Sequence, residues 1–475
     1  LPSYLVTALT VACALFMENL DSTVIATSLP AMAQDLHEDP IALKLALTSY
    51  LVSLAIFIPA SGWAADRFGA RKIFQAAILV FAGGSIFCGL AGTLPGLVGA
   101  RIIQGLGGAM MVPVGRLLLL RSVQRNELVN ALSFLTVPAL LGPVMGPPLG
   151  GFITTYFHWR WIFWINVPIA ALGMVLAWFH IEDVKSGTPW PLDVTGFFLC
   201  GLGLPFLLLG LGGAGRGLMS PDTAVLAGVL GAAALIAYGR HARRAAFPLL
   251  DLKLLSIGTF RASVIGGSLF RAGIGAIPFL LPLMLQTGFG MNPFQSGSIT
   301  FAASVGAMAM KATAAPVLRR FGFRRVLVYN AVLSAAFLAS YGFFTPATPA
   351  LLMMSLLLTG GFIRSLEFTS LNAIAFADID AAQMSRAVSF SSAAQQLSLS
   401  LGVAAGAGAL QALAYFDPGS DILAPAHFKW AFVAMAAVSA SAALAFRLLP
   451  CDAGAELTRR AAEQDGAGAI APAGQ

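Results

Sequence analysis

Apolar residues come in long runs along this chain, set apart by short polar or basic turns. A bilayer-spanning helix needs about 20 mainly apolar residues. Reading for such runs predicts fourteen: about 3–29, 42–64, 73–91, 95–118, 130–155, 161–181, 193–213, 223–239, 258–287, 295–318, 325–345, 349–372, 384–412 and 427–449. These are too long for the strands of a membrane barrel, which need only about 9–11 residues. The first run carries Glu18 and Asp21 and closes on Pro30 without a small-residue cleavage site, so it reads as a span rather than a signal peptide. The chain begins at Leu1 without a Met, so further N-terminal residues are expected in the natural protein.

Composition sharpens the picture. Hydrophobic residues make up 58% of the 475 positions and charged residues 10%, against about 45–50% and about 25% in soluble domains. A soluble enzyme, a disordered chain and a nucleic-acid-binding protein are unlike this. The 28 Lys+Arg exceed the 21 Asp+Glu, but they sit in short clusters between apolar runs. With the N-terminus inside, the cytoplasmic segments and adjoining span ends hold 20 of the 28, the outer segments hold four (Lys44, Arg160, Arg216, Lys429), and four lie within spans. That bias is what the positive-inside rule predicts, with both termini cytoplasmic. Cys13, Cys88, Cys200 and Cys451 are scattered, as are the His residues at 37, 158, 180, 241 and 427, so no metal site and no cofactor is expected.

The turn after the second run, Arg67-Phe68-Gly69-Ala70-Arg71-Lys72, has a counterpart after the tenth, Arg320-Phe321-Gly322-Phe323-Arg324-Arg325. Each falls between the second and third spans of a six-span set, if spans 1–6 and 9–14 are two bundles. Parallel six-helix repeats are a transporter architecture, with the substrate site near the midplane between the halves. The expected organisation is an N-terminal bundle (1–182), an inserted helix pair with a cytoplasmic linker (183–255), a C-terminal bundle (256–450) and a disordered cytoplasmic tail (451–475).

Four segments of the first half carry a family resemblance: Leu20-Asp21-Ser22-Thr23-Val24-Ile25 closing with Leu29-Pro30; Gly62-x-x-x-Asp66-Arg67-x-Gly69-x-Arg71-Lys72; Arg101-x-x-Gln104-Gly105-x-Gly107-Gly108-Ala109; and Gly142-x-x-x-Gly146-Pro147-x-x-Gly150-Gly151. They resemble the major facilitator superfamily, specifically its fourteen-span drug–proton antiporter branch (the EmrB/QacA type) and its MdtD-like members. The Trp159-Arg160-Trp161-Ile162-Phe163 stretch before Asn166-Val167-Pro168 fits the same branch. Glu18 is not part of the branch's usual signature, and Ala26 stands where Asn is common. The resemblance implies an all-α polytopic protein and a gate at the 62–72 loop that changes with the inward- and outward-facing forms. The second-half copy has Arg319 in place of Asp66.

Seven ionisable residues lie inside the predicted spans: Glu18, Asp21, Arg101, Arg271, Lys311, Arg364 and Glu367. At roughly 2.5–3.5 kcal/mol each on an insertion scale, seven unpaired charges would cost on the order of 20 kcal/mol. They must therefore line a polar cavity, together with Gln104, or pair across it. Asp21 is the first candidate for the proton site, as the resemblance implies, with Arg101 as its modulator or permanent partner. Glu18, three residues away on the same helical face, is a second proton site, a substrate contact or a cavity-lining residue. Arg364 and Glu367 are spaced to pair with each other; Arg271 and Lys311 are counter-charges or anion contacts. Gly142, Gly146 and Gly150 share one helical face, where small residues let membrane helices approach closely.

The expected function is proton-coupled efflux of small lipophilic, cationic compounds by alternating access, in a bacterial inner membrane. Its partners would be a small-molecule substrate, protons and the lipid bilayer, with no nucleic acid and a monomer as the unit. A major facilitator transporter of a metabolite, an anionic compound or a lipid is the alternative. No Gly-x-x-x-x-Gly-Lys-Ser/Thr occurs, so ATP drive is not expected. An enzyme is not expected either.

Overall fold

The computed structural model describes residues 3–122, 128–181, 191–212, 220–380, 383–416 and 423–455. Among them there is no strand, as expected where lipid offers the backbone no hydrogen bonds and each span must satisfy its own. The long helices are α1 (Ser3–Val24), α2 (Lys44–Phe68), α3 (Ala70–Leu90), α4 (Leu94–Ser122), α5 (Leu128–Tyr156), α6 (Asn166–His180), α7 (Val194–Gly212), α8 (Pro221–Ala242), α9 (Gly258–Ile274), α10 (Pro293–Phe321), α11 (Phe323–Tyr341), α12 (Ala350–Ile374), α13 (Met384–Phe416) and α14 (Pro425–Phe446). Eleven of the described helical segments are long and apolar enough to cross a membrane. The helices at 128–156, 194–212 and 323–341 occupy three further predicted spans.

Three spans differ from a single uninterrupted helix. The first run passes through a 3-10 turn, Ile25–Thr27, into a short helix, Leu29–Asp35, where Pro30 is tolerated in the opening turn. The sixth divides into Trp161–Trp164 and α6. The ninth breaks after Ile274, restarts as Ile277–Leu283 and ends in a π turn, Met284–Gly288, with Pro278 and Pro282 withholding backbone donors. The predicted tail beyond residue 455 and the 182/183 boundary lie outside the described residues.

Packing repeats with an offset of eight helices. In the first half α1 packs on α5 and α6, and α4 packs on α2 and α3; in the second half α9 packs on α13 and α14, and α12 packs on α10 and α11. Between the halves, α5 meets α10 and α2 meets α13, which the same offset interchanges. The glycine turns repeat too. Gly69 (φ 96) and Gly322 (φ 74) take conformations that side-chain-bearing residues rarely adopt. Two residues beyond each, an arginine reaches the far end of its half: Arg71 Nη2 donates to the Trp178 carbonyl (2.6 Å) and Arg324 Nη2 to the Arg447 carbonyl (3.0 Å). Helices α7 and α8 pack on each other, and α7 also touches α2 and α13.

Candidate functional site

The first intramembrane cluster gathers side chains from α1, α3, α4 and α6. Arg101 Nη1 donates to Asp21 Oδ2 at 2.6 Å and to Gln104 Oε1 at 2.6 Å. Gln104 Nε2 and Asn166 Nδ2 each donate to Asp21 Oδ1 at 2.8 Å. Both amides also reach Ser85 Oγ, at 2.8 and 3.3 Å. Arg101 Nε donates to the Ala46 carbonyl (3.1 Å), and its guanidinium lies 4.2 Å from the centre of the Tyr50 ring. Asp21, Ser85, Arg101, Gln104 and Asn166 are all fully enclosed. One helical turn of α4 brings Arg101 and Gln104 to the same place, which is what the Arg-x-x-Gln spacing achieves. The Asp21 carboxyl thus has three donors, one of them a cation.

Glu18 stands apart from that closed cluster. It keeps partial exposure one turn from Asp21, and Arg116 of α4 is close enough to act on it electrostatically. An ionisable group exposed within a span faces a watery interior rather than lipid. Arg116 was missed in the sequence because it lies near the end of its span, where a cation is ordinary. Asn166 was read only as part of a family stretch, and Ser85 and Tyr50 were missed, because neutral polar residues disturb an apolar run too little to stand out.

The second half holds its own buried group, and it corrects an expected pairing. Glu367 Oε2 accepts from Asn330 Nδ2 at 3.0 Å, and no ion pair joins Glu367 to Arg364. The charge bearing on Glu367 is Arg271, across on α9. Arg271 Nη2 reaches Asn372 Oδ1 at 3.4 Å, and the guanidinium stands 5.6 Å from the Phe368 ring centre. The predicted cavity residues therefore do not share one space. Asp21, Arg101, Gln104, Arg271 and Glu367 are enclosed, whereas Glu18 and Arg364 are partly exposed and Lys311 is exposed, its Nζ donating to Thr369 Oγ1 at 2.9 Å.

The α5 glycine motif serves two faces. Gly142, Gly146 and Gly150 press on α1: a Cβ at these positions would strike Asn19, Thr23 and Val24 respectively. Gly151 faces α10, where a Cβ would strike the Pro293 carbonyl, and Gly297 of α10 would in turn strike Pro147. Along this seam Thr155 Oγ1 accepts from the Phe294 N–H (3.0 Å), and Ser304 Oγ donates to the Pro143 carbonyl (3.0 Å). The halves also meet at Gln286 Nε2, which donates to the Thr27 carbonyl at 2.8 Å. These contacts run from the end where α5 finishes and α10 begins to Ser304 and Pro143, midway along both helices. Past Ser304, toward the other end of α10, Val305, Met308, Ala309, Lys311 and Ala312 are exposed.

In the loop motif, Gly69 makes the turn, whereas a Cβ at Gly62 would meet nothing. Instead Gly62 and Asp66 line a cavity of about 410 Å³ together with Asp193 and Arg386. Arg386 Nη1 binds Asp251 Oδ2 of the α8–α9 linker at 3.0 Å. Arg67 and Lys72 are exposed, and Arg71 is committed to the Trp178 carbonyl. A second cavity, about 470 Å³ and almost wholly apolar, opens between α2, α4 and α7. At the opposite end from these turns, Asp35 accepts from Arg160 Nη1 (2.6 Å) and Trp159 Nε1 (3.1 Å), tying the segment after α1 to the Trp-Arg-Trp stretch. Burial pushes the Asp35 carboxyl up, but the hydrogen bonds from Arg160 and Trp159 and the charge of Arg160 outweigh it, leaving the group below its ordinary value.

The sequence profile described as Major Facilitator Superfamily matches residues 11–402 and, in a second alignment, 263–473. The chain is 37% identical over 448 residues to MdtD of Pectobacterium carotovorum subsp. carotovorum (strain PC1), across 93% of this chain and 95% of that protein. It is 37% identical over 449 residues to MdtD of Salmonella paratyphi A (strain ATCC 9150 / SARB42), across 93% and 94%. The names of both assign them provisionally to multidrug resistance. Among solved structures it is similar to a D-xylose–proton symporter (TM-score 0.68, 16% identity, 94% of this chain and 98% of that one). It is also similar to the POT family transporter PepTSo (TM-score 0.69, 13% identity, 96% and 98%). At such identities these two likenesses concern the fold.

Proposed function

The chain belongs to the Major Facilitator Superfamily, and on that premise we propose that it exports small lipophilic compounds in exchange for protons. It is a multi-pass membrane transporter rather than an enzyme. Fourteen spans, the two bundles 1–182 and 256–450 with an inserted pair between them, cytoplasmic termini and the inner membrane complete the proposal. The observation that carries it is Asp21, buried and held by Arg101, Gln104 and Asn166.

In this conformation the seam between α5 and α10 closes the outer side. A proton taken up by Asp21 from outside, in the open-seam form, leaves in the present form past Glu18, one turn nearer the start of α1. Protonation of Asp21 cancels its charge and releases Arg101 from an ion pair, so the cluster must rearrange. That rearrangement is the event that reopens or closes the seam. Substrate leaves outward while protons pass inward, and the Asp66 loop holds one of the two forms at the cytoplasmic ends.

The test uses purified protein in liposomes with an imposed pH gradient and ethidium as the lipophilic cation. Proton flux on ethidium addition, abolished by Asp21→Asn and altered by Glu18→Gln, is the expected result. Folded wild-type protein giving no flux overturns the cationic reading. One observation favours an anionic substrate instead: the exposed or part-exposed intramembrane charges are Glu18 against Lys311 and Arg364, with Arg116 nearer a span end. Flux evoked by a lipophilic anion, and lost in Lys311→Ala, decides for that alternative.

A further inference from the structure

Four carboxyl side chains are enclosed among the described residues: Asp21, Asp193, Asp251 and Glu367, and Asp193 has His241 Nε2 at 2.7 Å. Asp21 has Arg101 at 2.6 Å and Asp251 has Arg386 at 3.0 Å. Glu367 has no cation within ion-pairing distance. Its Oε1 has no hydrogen-bond partner, and its Oε2 accepts from Asn330 Nδ2, an amide it shares with the Ile363 carbonyl. A fully buried carboxylate served by one shared neutral donor is strongly disfavoured, whereas the neutral acid fits the same place at little cost.

The missing cation is nevertheless close. Arg271 of α9 is also buried, bears electrostatically on Glu367, and has an unpartnered Nε. Its guanidinium folds back over Gly267, where a Cβ would come within 2.6 Å of Nη1. The ninth span is interrupted four residues beyond Arg271, at Gly275 and Ala276. Two orphaned groups of opposite sign, one of them next to a break in its helix, make a two-state pair. The charges are exchanged between the halves: the acid is on α1 and the base on α4 in the first, the base on α9 and the acid on α12 in the second.

From this we infer that Glu367 is a second proton-exchange site of the carrier, neutral in the present conformation and ion-paired to Arg271 in the alternate one. Movement of the α9 segment brings Arg271 to Glu367, the acid O–H bond breaks, and the proton leaves to the aqueous side then open. The resulting carboxylate takes the guanidinium as its partner, satisfying both orphaned atoms. Other charged groups near it are Arg364 on α12 itself and Lys311 on α10, which bonds Thr369; α11 presents Asn330. The inference rests on the proposal that the chain couples transport to protons, but its first test needs no transport.

Infrared difference spectra of the purified full chain, recorded as pH is raised, read the carbonyl stretch of protonated carboxylic acids. A band component is expected in the wild type, in Asp21→Asn and in Glu18→Gln, and this component is expected to be lost in Glu367→Gln while the one that Glu18 contributes remains. In Arg271→Gln, Glu367 loses the cation that lets it ionise, so the band is expected to persist to higher pH. A band unchanged in Glu367→Gln overturns the inference. So does an Arg271→Gln band that disappears at the wild-type pH, and this arm stands if Glu367→Gln does not fold. In liposomes that carry ethidium, Glu367→Gln is expected to halve the protons moved per ethidium, and an unchanged ratio counts against the site. Absence of ethidium flux in the wild type tests the export proposal and leaves the spectra to decide this one.

Discussion

Arg101 and Asp21, 80 positions apart in sequence, touch at 2.6 Å with both side chains sealed from solvent. Removing only the cation leaves a carboxylate enclosed without a counter-charge, typically a loss of about 3–5 kcal/mol. Arg101→Met is therefore expected to be strongly destabilised. Adding Asp21→Asn should recover most of the loss, because the uncompensated charge is gone. A double-mutant cycle on thermal or denaturant unfolding in detergent checks this, and equal losses in the single and double variants would show that no charge was stranded.

The α5–α10 seam makes a sharper prediction about conformation than about stability. Gly151→Val must push against the Pro293 carbonyl, and overpacking of this kind costs about 1–3 kcal/mol. Since that cost falls on the closed seam, the open-seam form gains by about tenfold or more. Labelling of a cysteine placed beside Phe294 should rise accordingly. Gly62→Ala meets no neighbour and should change neither labelling nor unfolding temperature downward.

Gly69 (φ 96, ψ 130) and Gly322 (φ 74, ψ 157) sit in a region of backbone space close to glycine's own. Each Gly→Ala change is expected to cost about 1–3 kcal/mol. They lie in different halves, so the double variant should lose nearly the sum. Unfolding temperatures of the two singles and the double provide the check.

Asp35 gives a pH signature. Its folded value lies below the ordinary carboxyl value, so its contribution is complete above that ordinary value and fades as pH falls through the folded one. Asp35→Asn should be less stable than wild type at about pH 7, with the gap closing toward about pH 3. The pair is partly exposed, so the effect should also shrink with salt.

Much of this architecture could be read before any coordinates, because lipid leaves long apolar helices as nearly the only solution and makes each interruption conspicuous. Asp21 and Arg101 announced themselves as charges in apolar runs. Their amide and hydroxyl partners did not, since Asn166 and Ser85 cost a span little. Glu367 shows where sequence proximity misleads. Arg364 is one helical turn away, yet the residue that answers Glu367 is Arg271, on another helix and nearly a hundred positions earlier. The glycine motif of α5 announced close packing but not its partners, because one face meets α1 and the neighbouring residue meets α10. Which carboxyl ends up with a cation is decided by tertiary packing.

The backbone-to-backbone seam also has an electrical consequence. Where Gly151 meets Pro293 and Gly297 meets Pro147, the backbones approach too closely to admit even a Cβ between them. Toward the other end of α10, the stretch around Lys311 is exposed, and in the proposed inward-facing form it faces the cytoplasmic medium. With that opening, the membrane voltage would fall mainly across the closed part of the molecule that holds Asp21 and Arg101. A charge moved through that part gains or loses about 2.3 kcal/mol per 100 mV. Voltage alone should therefore drive the carrier, and a potassium diffusion potential should change its turnover even when the pH on the two sides is equal.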